Sequence, residues 1–241
     1  MQISDKATVE TSHIGQNAVI SEYCVIRQDV KIGNDVVIHP NVTIYDGVEI
    51  GNGVEIFPGT FLGKKPKGAG VSARELDFEK RIRIGENSSI GPNCVIYYDV
   101  DIGGYCLLGD GAAIREKCKI ASRCIIGRFV SLLYEVEVGK NTRIMTNSQI
   151  TGNTYIGNDV FISVGLNTVN DNAFGDLGYD DHVKGQRIES GAKIGAGVTI
   201  LPNININEQA VVGSGSVVTK DVESKSLVMG VPAKHVRYVE E

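Results

Sequence analysis

The 241-residue chain carries a net charge of −5, with 42% hydrophobic and 22% charged residues, which is ordinary for a soluble protein and lacks the basic excess of a nucleic-acid binder. Isoleucine (27) far outnumbers leucine (10), glycine reaches 29 and tryptophan is absent; β-branched residues and glycine favour strands and tight turns, which argues against a helical bundle. The opening MQISDK has no apolar secretion core, and no stretch approaches the roughly 20 apolar residues of a membrane span, so a cytoplasmic protein with no membrane partner is expected.

The first periodic run places an aliphatic residue at every sixth position: Ile14, Ile20, Ile26, Ile32, Ile38, Ile44, Ile50, Ile56 and Leu62. Four places after each stands a smaller residue, such as Ala18, Val30 or Val42. Each hexad predicts one short flat strand and one corner. Three hexads, 18 residues, close a triangular coil, and coils stack at about 4.8 Å through backbone hydrogen bonds. Glycines following the aliphatic residue, such as Gly33, Gly51, Gly85, Gly139, Gly157 and Gly195, are expected to serve the turns.

A first interruption follows, around KKPKGAGVSARELDFEK near residues 64–81. It concentrates Lys64, Lys65, Lys67 and Arg74 in an otherwise acidic chain, a composition suited to a diphosphate. The frame resumes at Ile84 and runs without a break to Ile162. A second interruption, acidic and polar, lies near residues 167–187 and contains Asn170, Asp171 and His182. A solenoid accepts such loops only at its corners, so both are expected to project and to carry function. The last run spans Ile188 to Val218, giving one domain of about ten coils over residues 1–222, and a short tail over 223–241 with Lys234 and Arg237. With Lys220, these cations are suited to phosphate groups.

Residues 18 apart stack as neighbours. One column, read as outward, runs Tyr98, Glu116, Tyr134, Gly152. The next holds Asp99, Lys117, Glu135 and Asn153, and another pairs Asp110 with Arg128. Asp110 and Glu116, one hexad apart, are read as flanking a corner and as candidates for orienting or deprotonating an acceptor. Tyr134 is a catalytic candidate beside them, with Glu135, Asn147 and Gln149 as acceptor-binding candidates. Cys24, Cys94, Cys106, Cys118 and Cys124 all occupy the small inward position and read as buried packing. Histidine is absent from the middle coils. Were the chain to transfer an acyl group, a hydroxyl acceptor would generally need a base, whereas a neutral amine attacks a thioester directly, so an amino acceptor would be favoured. The same absence weakens a zinc-dependent, carbonic-anhydrase-like reading, and no metal is expected.

The hexads resemble those of left-handed β-helix acyltransferases, and the left hand of the coil is implied by that resemblance. LGKKPKGAG (62–70), GDGAAIREKC (109–118), IIGRFV (125–130), ITGN (150–153), VFIS (160–163), NDN (170–172) and MGVPAK (229–234) further resemble a group of nucleotide-sugar N-acyltransferases that includes the anthrose-pathway N-acyltransferase. Acyl-CoA, acetyl-CoA among others, is implied as co-substrate, with a dTDP- or UDP-linked amino sugar as acceptor in a groove between subunits of a homotrimer. On that resemblance Asp110 and Glu116 face the sugar amine, Lys65, Lys67 and Arg74 hold the nucleotide, and Asn170 and Asp171 lie near the sugar or acyl group. A backbone N–H around Gly152 is expected at the oxyanion. Leu133, Glu135, Thr146 and Gln149 stand where that group often has asparagines, an aspartate and a histidine, which leaves the sugar and the acyl group open. An O-acyltransferase or a non-catalytic β-helix scaffold are the alternatives.

Overall fold

The computed structural model describes residues 1–69, 76–176 and 183–239. The hexad frame becomes a triangular left-handed parallel β-helix. Its three faces hold, among the described residues, 13, 11 and 9 strands; we call them faces A, B and C, in the order the chain visits them. Most strands are two residues long, one facing out and one facing in. Registers such as Leu108↔Ile126 and Ile114↔Leu132 preserve the 18-residue step, so like stacks on like along the whole prism. Every aliphatic residue of the frame from Ile20 to Val218 is buried.

The corners explain the remaining composition. Three residues ahead of an inward aliphatic, the chain passes through the left-handed region, as at Asn41 (φ 62°), Gly53 (φ 65°) and Asn87 (φ 52°). Glycine and asparagine tolerate this conformation best. The glycines directly after the aliphatic residue do something else. Gly85 is not among the positive-φ residues, but a Cβ there would sit 2.3 Å from the backbone nitrogen of Gly104 in the next coil. Close approach of stacked backbones, rather than turn geometry, accounts for that glycine column.

The solenoid is longer than the regular frame indicates. Gln2–Ile3 and Thr8–Val9 already form rungs of faces A and B, and Ser226–Met229 adds a rung beside Val211–Val212. Face B alone stacks eleven strands, against the ten coils expected. The missed rungs pair at 17 residues (Ile3↔Ile20) and 16 residues (Val212↔Val228), so a strict count of six passes over them. Lys234–Tyr238 then turns back antiparallel on Ser226–Met229, which gives the tail an ordered role at the end of face A.

All five cysteines are free and buried. Burial pushes the Cys94 thiol up to about 11 and the Cys118 thiol up to about 12, while a hydrogen bond with Cys124 pulls the Cys106 thiol down; what protects all five is that none is more than 2% exposed to a reagent. Native protein is therefore expected to give no rapid colour with a disulfide thiol reagent, and five equivalents after denaturation. Rapid modification of any thiol in folded protein would contradict this packing.

Candidate functional site

Both insertions leave the prism at the same corner. The first lies between Phe61–Lys64 on face B and Ile82–Ile84 on face C; the second lies between Asn167–Thr168 on face B and Arg187–Ile188 on face C. Four face-B strands separate them: Val95–Tyr97, Ala113–Ile114, Ser131–Leu132 and Gln149–Ile150. The two loops thus bracket one edge about 24 Å long, counting five steps of about 4.8 Å. The stacked residues Tyr98, Glu116, Tyr134 and Gly152 lie along this edge.

That column is buried, not outward as the sequence pattern indicated. Tyr98 is 2% exposed, Glu116 0% and Tyr134 6%. The returning limb of the first loop supplies part of the cover. Phe78 stacks on Tyr98 with ring centroids 6.2 Å apart, and Asp77 pairs with Lys117 at 3.2 Å. Burial, then the neighbouring Asp46 and Tyr45, push the Tyr98 phenol up to about 12. Gly152 leaves room for the Tyr134 ring, since a Cβ there would lie 2.4 Å from Cε2.

Glu116 is held by its chain neighbour. Arg115 Nε donates to Oε2 at 3.2 Å and Nη2 donates to Oε1 at 3.0 Å. The Arg115 guanidinium carbon lies 5.8 Å from the centroid of Tyr97 and 5.6 Å from that of Tyr134, within cation–π range. Lys64 Nζ lies 4.8 Å from the centroid of Tyr97. Two cations thus share one ring beside the first loop. Sequence reasoning missed Arg115, because its environment comes from residues in the coils on either side. The clue was available only by stacking position 115 on position 97 and setting it beside position 134 in the neighbouring column.

Asp110 does not join Glu116. It is exposed at the opposite corner, between faces A and B, with the strand Ala113–Ile114 between the two carboxylates. The side chains of Asp110 and Arg128 form no ion pair, although their coils are joined by Phe129 N–H donating to Asp110 O at 2.9 Å. Asn147 (φ 58°) shares the Asp110 corner, and Gln149 faces outward on face B between Ser131 and Asn167. Lys65 and Lys67 are exposed on either side of buried Pro66, whereas Arg74 and His182 lie outside the described residues.

Glu135 lies 3.8 Å from Lys117 in the charge ladder of face C. Asp171 accepts N–H groups from Ala173 (2.6 Å) and Gly175 (2.7 Å), so its carboxylate shapes the start of the second loop. Asn170 O accepts from Lys184 N at 3.2 Å across that loop. Lys220 and Lys234 meet in a cleft of about 450 Å³ at the C-terminal end, with Glu223 and His235; Arg237 is exposed and donates to Tyr238 O at 3.1 Å. A polar residue missed from sequence, Gln186, is fully buried inside the prism where the second loop returns.

Among the described residues, no His, Cys, Asp or Glu cluster is placed to hold a metal. No helix among them is long and apolar enough to cross a membrane.

A family profile described as bacterial transferase hexapeptide (six repeats) matches residues 11–45, 29–64 and 81–116. The chain is 32% identical over 174 residues to the bifunctional protein GlmU of Thermotoga petrophila, covering 63% of this chain and 36% of that protein. It is 42% identical over 86 residues to serine acetyltransferase 2 of Arabidopsis thaliana, covering 36% of this chain and 27% of that one. The chain thus spans about a third of the length of such relatives. LpxA, a UDP-N-acetylglucosamine acyltransferase from Bacteroides fragilis, superposes with a TM-score of 0.59 at 22% identity, covering 98% of this chain and 74% of that one. At that identity the similarity speaks for the fold alone.

Proposed function

We propose that this chain, a hexapeptide-repeat β-helix protein, is an acyl-CoA-dependent N-acyltransferase. It transfers an acetyl or other short acyl group to the amine of a nucleotide-linked (dTDP or UDP) amino-deoxy sugar. The observation that carries this reading is the single corner on which both loops converge, with the Lys64, Arg115 and tyrosine cluster between them. Acyltransferase relatives and the shared fold support the reaction class.

The sugar nucleotide lies along this edge with its diphosphate toward the first loop, where Lys65, Lys67 and Arg74 add positive charge. The amine faces the edge at Tyr134 and Gly152, with Glu135, Asn170 and Asp171 around it, while the fully buried Glu116 orders that edge through Arg115. Acyl-CoA follows the prism toward the C-terminal cleft, its phosphates meeting Lys220, Lys234 and Arg237. The neutral amine attacks the thioester carbonyl; the C–N bond forms, and negative charge collects on the oxygen, where a backbone N–H near Gly152 stabilises it. Collapse breaks the C–S bond, and the proton shed by the amine passes to the departing thiolate. No step calls for a metal. Among the described residues, His13, His39 and His235 all lie away from this corner.

Three chains side by side would make face B one wall of a groove between subunits, with Asp110, Asn147 and Gln149 supplied to its far edge. Leu107, Phe129 and Phe161 are exposed apolar residues on and beside face A, available to such packing. The reaction belongs in the cytoplasm, where both co-substrates occur.

The test is release of CoA thiol from acetyl-CoA in the presence of dTDP- and UDP-linked amino sugars. Turnover with at least one amine acceptor, and none with the matching hydroxy sugar, is the expected result. Turnover confined to hydroxyl acceptors would replace this reading with O-acylation, and no thiol release with any of them would leave a non-catalytic scaffold.

A further inference from the structure

We propose that Arg115 is a diphosphate-binding residue that the buried carboxylate of Glu116 holds in position, which rests on the nucleotide-sugar reading above. The carboxylate occupies the Nε/Nη2 edge of the guanidinium, at 3.2 and 3.0 Å. A guanidinium has five N–H donors in a fixed plane, so the Nη1/Nη2 edge keeps its donors. Among the described residues Glu116 is the one ion-pair partner of Arg115. The Arg115 side chain is 31% exposed while Glu116 is fully buried. One edge is therefore anchored inside the corner, and the other is left for a second oxyanion.

The geometry suits a phosphoryl group. A guanidinium edge presents two parallel N–H groups that match two oxygens of one phosphate. The tyrosine rings of Tyr97 and Tyr134 fix its plane from the coils on either side, so little side-chain freedom remains to be lost on binding. Glu116 cancels the charge of Arg115 but not its hydrogen-bonding direction. Net attraction for a dianion then falls to Lys64 on the other side of the Tyr97 ring and to the lysines of the first loop. Glu116 accordingly acts through Arg115, as a positioning residue.

A diphosphate is present in both proposed substrates, in the nucleotide sugar and in coenzyme A. Arg115 directly follows the strand two steps, about 10 Å, from the exit of the first loop and three steps, about 14 Å, from that of the second, and five steps, about 24 Å, from Val217–Val218 at the C-terminal cleft where Lys220 and Lys234 meet. The nucleotide sugar is therefore the ligand it serves.

Calorimetric titration of wild type, Arg115→Gln and Arg115→Lys with dTDP, UDP and CoA tests this. Whichever nucleoside diphosphate wild type binds is expected to lose at least about tenfold in affinity with Arg115→Gln, as for a lost charge-assisted hydrogen-bond pair, with CoA affinity unchanged. Arg115→Lys keeps the charge without the fork, and an intermediate loss is expected; it also carries the test if the Gln variant does not fold. Undiminished diphosphate binding by Arg115→Gln overturns the role of Arg115 and leaves the proposed function standing. A loss confined to CoA, or an equal loss for every ligand with a lowered melting temperature, overturns it as well. Wild type that binds neither dTDP nor UDP removes the nucleotide-sugar reading, and Arg115's role with it.

Discussion

Ile114→Ala is expected to destabilise the protein by about 2–5 kcal/mol, the range for truncating a buried aliphatic to alanine. Ile114 is fully buried and pairs in register with Ile96 and Leu132. Its side chain fills the prism at a level where only its own coil and the two neighbours can close a void. Each repeat of a solenoid contacts only its neighbours, so no distant element shares the loss. Lys119→Ala is the control on the outside of the same coil. The Lys119–Glu137 pair spans 2.9 Å but its side chains are 64% and 50% exposed, and such pairs contribute at most about 1 kcal/mol. Urea unfolding of both variants measures the contrast. A loss below about 1 kcal/mol for Ile114→Ala would show that the coils collapse around the cavity and are not rigidly stacked.

Gln186→Met is expected to cost about 3 kcal/mol, and to reduce turnover even at temperatures where the variant stays folded. The Gln186 amide nitrogen donates to the carbonyls of Val169 and Leu201, the latter at 3.0 Å, while its oxygen accepts from Thr154 Oγ1 at 3.1 Å and Thr151 Oγ1 at 3.4 Å. Thr168 closes the network by accepting the Thr151 N–H at 2.7 Å. Methionine keeps the length of the side chain but strands several of these groups, each at about 1–3 kcal/mol with partial relaxation. Val169 leaves for the second loop and Gln186 returns from it, so this one side chain ties the two ends together inside the prism. The measurements are urea unfolding and kcat/KM for the proposed acyl transfer. Unchanged kcat/KM in folded variant would separate the second loop from catalysis.

The periodic part of the molecule was legible because one rule repeats. Inward positions from Ile20 to Val218, and the burial of all five cysteines, follow from a six-residue count. The count failed where a coil shortened, at Ile3↔Ile20 and Val212↔Val228. It also misjudged the surface. Tyr98 and Glu116 belong to a column that the frame turns outward, yet Phe78 and Arg115 come down over them, and neither neighbour follows from the period of that column. Asp110 and Glu116 are close in sequence but end up at opposite corners of face B, since six residues are a whole side of the triangle. Gln186 had left a trace: it is a polar residue at an inward place of the frame, two positions before Ile188.

The convergence of both loops on one corner turns the β-helix into a ruler. Their separation is graduated in whole coils of about 4.8 Å, because a loop can leave this edge only once per turn. Drift in side chains along the four intervening strands changes what the edge recognises but not how long it is. Selection for a longer or shorter ligand would therefore act by gaining or losing entire 18-residue turns, a discontinuous change, while selection for a different ligand of the same length could proceed one residue at a time.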